Sequence, residues 1–354
     1  MVDVKSEKIS FFLGSMGRGG AERVISILSR NFAEKGWITQ VGLLLFNKID
    51  YKLDSSTQIF DFSGDVKSRI ARIPYWLIAI RSFVKREQPK IIVSFAARIN
   101  ILVLLATLGL HAKVIISERN DPIHDGRGFF TRCLVRLLYP FAYKIVFQTR
   151  RSFQYFPKRI QKKGIVIPNP ISVSCFALSE KKKKIVSVGR LTKQKNHFLL
   201  IKAFAFVRKK FPRYELYIYG DGELHDELVM LTQKLGIEKY VHFEGNISNI
   251  HEMVADAELF VLSSNYEGLS NALLEAMMMG IPCISTNVAG SDEFIENGKN
   301  GILVPVGDLN AMCVAMETLI KDKSLQQTYS DLGRETLKGC NTKNVLYSWE
   351  KLVV

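Results

Sequence analysis

The sequence predicts an α/β protein made of two successive doubly wound units, each with a parallel sheet. Three observations predict it. Short apolar strand segments alternate with helix-length segments over most of the chain. The alternation breaks between Pro170 and Lys184 and then restarts. The length, 354 residues, suits two domains at roughly 150 residues each.

The first unit opens with "KISFFLGS", an apolar run without helical spacing, which reads as a buried strand. The loop "MGRGG" follows, then a helix from about Ala21 to Lys35. Val24, Ile27, Leu28 and Phe32 share one face of it, and Gly36 can cap its end. "TQVGLLLF" is a second strand. "KIIVSF" (Lys90–Phe95), "AKVIISE" (Ala112–Glu118), "YKIVFQT" (Tyr143–Thr149) and "GIVIPNP" (Gly164–Pro170) continue the series.

The second unit begins after a lysine run that reads as a solvated linker edge, with the strand in "KKKKIVSVGR". "YELYIYGDGE" (Tyr214–Glu223), "VHFEGN" (Val241–Asn246), "AELFVLSS" (Ala257–Ser264), "PCIST" (Pro282–Thr286) and "GILVP" (Gly301–Pro305) supply further strands. The tail, "NTKNVLYSWEKLVV", reads as a terminal helix with apolar positions spaced for docking. The expected division is residues 1–171, residues 172–340, and a helix over 341–354 that docks back on the first domain.

The formal charge is +15 and unevenly placed. Between Gln88 and Leu178 the acids are Glu118, Asp121 and Asp125, against many lysines and arginines that include Arg132, Arg136, Lys144, Arg159, Lys162 and Lys163. A basic half implies a polyanionic neighbour: nucleic acid, anionic lipid or a phosphorylated substrate. The basic residues mix with aliphatics and form no recognised nucleic-acid module, so nucleic acid is not the expected partner. The five cysteines show no metal-ligand or disulfide spacing, which fits a reducing compartment. The N-terminus carries charge where a signal peptide needs an apolar core. The longest apolar run, Ile99–Ala112, is short for a membrane span and fits a buried helix. A cytoplasmic protein is expected.

"GSMGRGGAER" sits where phosphate-binding loops sit, after a strand and before a helix. A P-loop needs Lys-Ser/Thr after its last glycine, and here Gly20 and Ala21 follow Gly19. The dinucleotide pattern would need glycine at Glu22. Two readings stay open: close backbone approach to a ligand, or a tight turn with Glu22 complementing the helix dipole.

"AELFVLSSNYEGLSNALLEAMMMGIPCIST" is one strand–loop–helix–strand unit. Ser270 and Asn271 are N-cap candidates, and Gly280 and Pro282 stop the helix. Glu267 then lies in the loop, and the amides of Gly268, Leu269, Ser270 and Asn271 crowd the helix N-terminus, a place suited to phosphate or hydroxyl oxygens. Glu275 lies about one turn into the helix among apolar neighbours, where a charge is costly unless partnered. Its carboxylate can accept two hydrogen bonds from a vicinal diol. In "VGRLTKQKN", Arg190 and Lys195 follow a strand; they are either a solvated basic loop or a pair that neutralises a diphosphate.

Together these residues resemble the family-4 retaining glycosyltransferases of the GT-B fold. The matching pieces are "GGAER", "SERNDP" (Ser117–Pro122), "IPNP" (Ile167–Pro170), "VGRLTKQKN", "YGDGE" and "YEGLSNALLEAMMMGIP" with its two glutamates eight residues apart. They run in the family's order over nearly the whole chain. The likeness is greatest to enzymes of bacterial exopolysaccharide, capsule, lipopolysaccharide and lipid-linked glycan synthesis.

The resemblance implies two Rossmann-like domains facing a central cleft, the second holding a nucleotide sugar and the first an acceptor. It implies ribose contact for Glu275, donor-sugar contact for Glu267 with the Gly268–Ser270 backbone, and diphosphate contact for Arg190 and Lys195. Leu269 and Asn271 belong to the same donor bed. Gly19 and Gly20 would line the cleft, and Asn246 would lie near the base. It implies retention of anomeric configuration and no metal or other cofactor, and UDP is the expected nucleotide. Where many relatives carry a histidine, this chain has Arg119; donor contact is expected from Arg119, with Glu118 and Asn120 as the open alternatives for the sugar.

The expected acceptor is a glycan or a polyprenyl-diphosphate sugar, which would hold the enzyme peripherally at the inner face of the cell membrane. The stretch Lys67–Lys90, mixing Arg72, Arg81 and Lys85 with Trp76, Ile78 and Phe83, reads either as a core-packed helix or as contact with anionic membrane. The alternatives are a sugar-nucleotide epimerase-like or hydrolase-like enzyme on the same fold, and a basic nucleic-acid-binding protein.

Overall fold

The computed structural model describes residues 7–17, 19–46, 49–51, 53–64, 69–177 and 180–353, with the backbone alone for 69–71. Arg18 of the first glycine loop and Lys67 and Ser68 of the basic stretch lie outside the described residues. The chain forms two compact units. One comprises Met1–Pro170 with Lys343–Val354, the other Ile171–Thr342.

The first unit runs β1 (Lys8–Leu13), α1 (Gly20–Glu34), β2 (Ile38–Leu43), β3 (Gln58–Asp61), α2 (Arg69–Glu87) and β4 (Ile91–Phe95). It continues with α3 (Ala97–Thr107), β5 (Lys113–Glu118), α4 (Phe129–Leu138), β6 (Lys144–Phe147), α5 (Arg150–Tyr155), α6 (Lys158–Gln161) and β7 (Gly164–Val166). The strands form one parallel sheet in the order β3-β2-β1-β4-β5-β6-β7. Helices cover both faces, so β4 and all but the first residue of β1 and β5 are buried rather than alternating. Helix α1 turns Val24, Ile25, Leu28 and Phe32 inward, and Gly36 follows it at φ +83°.

The second unit runs β8 (Lys184–Val188), α7 (His197–Lys210), β9 (Glu215–Tyr219), α8 (His225–Lys234), β10 (Val241–Gly245), α9 (Ile250–Val254) and β11 (Leu259–Leu262). Then come α10 (Asn271–Met279), β12 (Cys283–Thr286), α11 (Ser291–Phe294), β13 (Ile302–Val304), α12 (Leu309–Lys321) and α13 (Lys323–Thr336). Its sheet is parallel in the order β10-β9-β8-β11-β12-β13. A final helix, α14 (Thr342–Val353), buries Val345, Trp349, Leu352 and Val353 in a cluster with Phe11, Ile91 and Phe95 of the first unit. Trp349 stacks on Phe95 with ring centroids 6.3 Å apart.

In each sheet the strand order reverses beside the first strand, between β1 and β4 and between β8 and β11. Loops at the carboxyl ends of such strands are the ligand-binding positions of open α/β sheets. The first glycine loop, "VGRLTKQKN" and the Glu267 loop all leave strands at these two points.

Two elements differ from expectation or decide between readings. Strand β3 is an extra edge strand that the sequence did not announce; its side chains are exposed or half-buried, so no apolar run marks it. Helix α2 is core-packed: Trp76, Ile80, Phe83 and Val84 are buried, and Trp76 Nε1 donates to the Phe62 carbonyl at 2.9 Å.

Candidate active site

In the second unit, β8 and β11 are hydrogen-bonded neighbours, and the loops that leave them are tied together. Asn265 N donates to Gln194 O at 2.7 Å, Asn265 Nδ2 to Lys193 O at 2.8 Å, and Ser263 Oγ to Lys195 O at 2.9 Å. Asn196 takes the left-handed conformation, φ +47°, and its side chain caps α7 by accepting from Leu199 N. That sharp turn brings Lys195 back over the Glu267 loop.

Lys195 Nζ lies 2.5 Å from Glu267 Oε1. Ser264 Oγ donates to the same oxygen at 2.6 Å, and Gln194 Nε2 reaches Oε2 at 3.3 Å. The Lys195 and Glu267 side chains are 15% and 7% exposed, so the carboxylate is buried and compensated by one ammonium and two polar donors. Arg190, at the start of the same loop, is exposed, and among the described residues its guanidinium has no hydrogen-bond or ion-pair partner. The structure thus brings Lys195 and Glu267 into contact and leaves Arg190 open to solvent.

Helix α10 begins as its sequence requires. Ser270 accepts from Leu273 N at 3.4 Å, and Gly280 closes the helix at φ +81°. The first amides of such a helix have no intrahelical acceptor, so the turn of Gly268, Leu269, Ser270 and Asn271 presents donors and a positive dipole end. Glu275 is buried, between Leu274 and Ala276 on the helix.

His251 of α9 meets Glu275, with Nε2 3.3 Å from Oε2. Its Nδ1 accepts from the Ser174 backbone N–H at 3.1 Å, while Nε2 lies near the carboxylate without making a hydrogen bond to any described residue. The cost of burying Glu275 signalled that a partner must exist. Nothing in the spacing selected His251 or Ser174.

The "YGDGE" turn holds the Arg190 loop in place. Gly189 N donates to Tyr219 O at 2.9 Å, and Leu191 N to Asp221 O at 3.0 Å. Gly220 has φ +129°, and a Cβ there would stand 2.2 Å from Gly189 O, so glycine is required. Gly220 N also donates to Gly245 O at 2.7 Å, and Asn246 follows, exposed. His197, at the first position of α7, is buried. Burial, with the charge of Lys195 second, pulls its pKa down to about 4.

In the first unit, Gly19 precedes α1 in extended conformation and Gly20 is its first residue. A Cβ at Gly19 would stand 2.3 Å from Glu22 Oε2. Arg119 follows the end of β5 and is buried. Nη1 donates to Asn169 Oδ1 at 2.7 Å, while among the described residues Nε and Nη2 have no partner. Its guanidinium lies over the rings of Phe95 (4.7 Å) and Trp349 (5.9 Å). Burial draws its pKa down to about 9, against the charge of Glu22, so it stays cationic at neutral pH. Its neighbour Glu118 is occupied by Arg127 Nη2 at 2.6 Å and by the Tyr139 hydroxyl, within a buried network. Among the described residues no group of three or more His, Cys, Asp or Glu is placed to hold a metal ion.

Comparison with known proteins defines the class. Residues 175–336, within the second unit, match the family model described as Glycosyl transferases group 1. The N-acetylgalactosamine-N,N'-diacetylbacillosaminyl-diphospho-undecaprenol 4-alpha-N-acetylgalactosaminyltransferase of Campylobacter jejuni is 28% identical, over 94% of this chain and 95% of its own. The lipopolysaccharide core biosynthesis glycosyltransferase LpsE of Rhizobium meliloti is 35% identical over 44% of each chain. Among solved structures, Anabaena HepE in complex with UDP and glucose aligns with a TM-score of 0.83 at 19% identity, covering 98% of both chains. Sucrose-phosphate synthase from Thermosynechococcus elongatus gives 0.83 at 16% identity over the same shares.

The fold is GT-B, two Rossmann-like domains. The chain is a glycosyltransferase of that fold, and its second unit carries the region that matches the group 1 glycosyl transferases.

Proposed function

We propose that the protein is a retaining glycosyltransferase that moves a hexose or N-acetylhexosamine from a UDP-sugar to a lipid-diphosphate-linked glycan. The observation that carries the reading is the group at the β8/β11 switch point. An exposed Arg190, without a partner among the described residues, and a Lys195–Glu267 pair stand at the ends of adjacent strands, with α10 and its buried Glu275 following the same loop.

In this reading the second unit binds the donor. Glu275, with His251 beside it, accepts from the ribose hydroxyls. The α10 amides from Gly268 to Asn271 and the side chain of Arg190 meet the diphosphate. Lys195 shares its charge between Glu267 and the leaving phosphate, and Glu267 accepts from a sugar hydroxyl. Asn246, after the β10 strand, serves the base. In the first unit Gly19, Gly20 and Arg119 are assigned donor contact on the resemblance alone, and the same resemblance gives that unit the acceptor.

The bond from the anomeric carbon to the diphosphate oxygen breaks as the acceptor oxygen attacks from the same face. The departing phosphate takes the acceptor's proton. The negative charge that develops on the diphosphate is met by two cations, Arg190 and Lys195, which suits turnover without a metal. The undecaprenol-diphosphate in the name of the Campylobacter relative supports a lipid-linked acceptor, and with it a peripheral place at the inner face of the cell membrane. Among the described residues no helix is long and apolar enough to cross a membrane.

The test is a thermal-shift screen of nucleotide sugars, followed by transfer assays with a polyprenyl-diphosphate sugar. One UDP-sugar should stabilise the wild type, and Glu275→Ala should weaken that binding by about tenfold or more, the worth of one good charged hydrogen bond. Undiminished binding by Glu275→Ala, or consumption of the donor to an epimer without acceptor, would overturn the reading.

A further inference from the structure

We propose that α4 and the turn after it form the face through which this protein meets an anionic lipid surface; this rests on the lipid-linked acceptor proposed above. Helix α4 buries only Val135 and Leu138. Its other large apolar residues face water: Phe129 is 76% exposed, Phe130 83% and Leu137 59%, and Phe141 just beyond the helix is 58% exposed. Phe130, Leu134 and Leu137 recur at the spacing of one helical face and form a ridge, and exposed Phe141 follows in the short turn after it. An apolar ridge of this size is unfavourable in water and marks an interaction surface.

The surroundings select the occupant. Arg132 and Arg136 flank the ridge, one turn apart and exposed. Beside Phe141 a groove of about 680 Å³ is lined by Leu108, Tyr143, Lys113, Lys144 and Lys163. Lys163 Nζ donates to the carbonyls of Pro140 and Ala142 at 2.7 Å, contacts that leave its charge unneutralised. The acids between Gln88 and Leu178 do not compensate this surface. Glu118 and Asp125 are engaged by Arg127, and Asp121 by His124 at 2.7 Å.

Exposed phenylalanines bordered by uncompensated cations, with a groove that is apolar on one side and basic on the other, match acyl chains and anionic headgroups together. Helix α2, for which membrane contact was one expectation, turns Trp76 and Phe83 into the core and leaves Ile73, Tyr75 and Ile78 exposed.

The full-length protein is sedimented with vesicles of phosphatidylcholine alone and of phosphatidylcholine mixed with phosphatidylglycerol, at low and high salt. The wild type should prefer the mixed vesicles at low salt. Phe129→Ser/Phe130→Ser should lower that binding by about tenfold or more. Arg132→Ser/Arg136→Ser should remove the preference and its salt dependence, and Ile78→Ser on α2 should change nothing. Because the substituted residues are exposed, circular dichroism should match the wild type.

Equal vesicle binding by wild type and both double variants would overturn the proposal. So would a wild-type dimer that the phenylalanine pair dissolves while vesicle binding stays unchanged, since the face would then join two copies. Binding is read without turnover. A protein that docks through α4 yet transfers no sugar would sink the functional reading and leave this one standing.

Discussion

The contact between Lys195 and Glu267 can be weighed by a double-mutant cycle. The perturbations are Lys195→Met, Glu267→Gln and the pair together. At an effective dielectric of about 20, unit charges 2.5 Å apart attract by about 7 kcal/mol. Desolvating two side chains as buried as these offsets much of that gain. Lys195→Met removes the attraction and strands a carboxylate that keeps Ser264 and Gln194 as donors, so its cost belongs near the lower end of the roughly 3–5 kcal/mol typical of a broken buried pair. The double variant removes both charges and should be less damaged than the sum of the singles, with a coupling energy of about 2–3 kcal/mol. The assay is urea unfolding of the four proteins, with the transition of the second unit followed separately. Additive costs, with coupling under about 0.5 kcal/mol, would refute a compensated buried pair at the centre of the site.

Gly220→Ala should destabilise the second unit by at least about 1–3 kcal/mol, because φ +129° and the approach to Gly189 O both exclude a Cβ; an unchanged melting temperature would contradict this. Burial holds the folded pKa of His197 down at about 4 against an ordinary value of 6.5, so its contribution is present above about pH 6.5 and is lost as pH falls toward 4, on the order of 3 kcal/mol in all. His197→Leu should flatten the stability profile in that window, and an unchanged slope would show that this histidine does not set it. His251→Leu should weaken UDP binding about tenfold through the loss of the Glu275 contact, measured by titration calorimetry; wild-type affinity would remove His251 from the site.

Much of the fold was legible because its signals are local. Buried parallel strands read as apolar runs, Ser270 and Gly280 bound α10 by their own chemistry, and Gly36 follows α1 in the left-handed conformation that glycine favours. The loop position of Glu267 followed from the same logic. Its partner did not. Lys195 is 72 residues away, and the contact exists because β8 and β11 pair in the sheet, which spacing along the chain does not encode.

His251 was hidden for the same reason: its meeting with Glu275 depends on how α9 packs against α10. Strand β3 was missed because an exposed edge strand needs no apolar run. Helix α4 is the opposite case. Its phenylalanines carry no signal in the sequence that tells a core face from an exposed one, and the structure leaves them outside.

The most direct test of the account is a single-turnover measurement with the matched UDP-sugar and a lipid-diphosphate acceptor, comparing wild type with Arg190→Ala. The wild type should form one glycoside for each UDP released, with the donor's anomeric configuration kept in the product's NMR spectrum. Arg190→Ala should still bind the donor but turn over about a hundredfold or more slower, as expected when a cation facing the leaving group's charge is removed. An inverted linkage, or wild-type turnover by Arg190→Ala, would contradict the account.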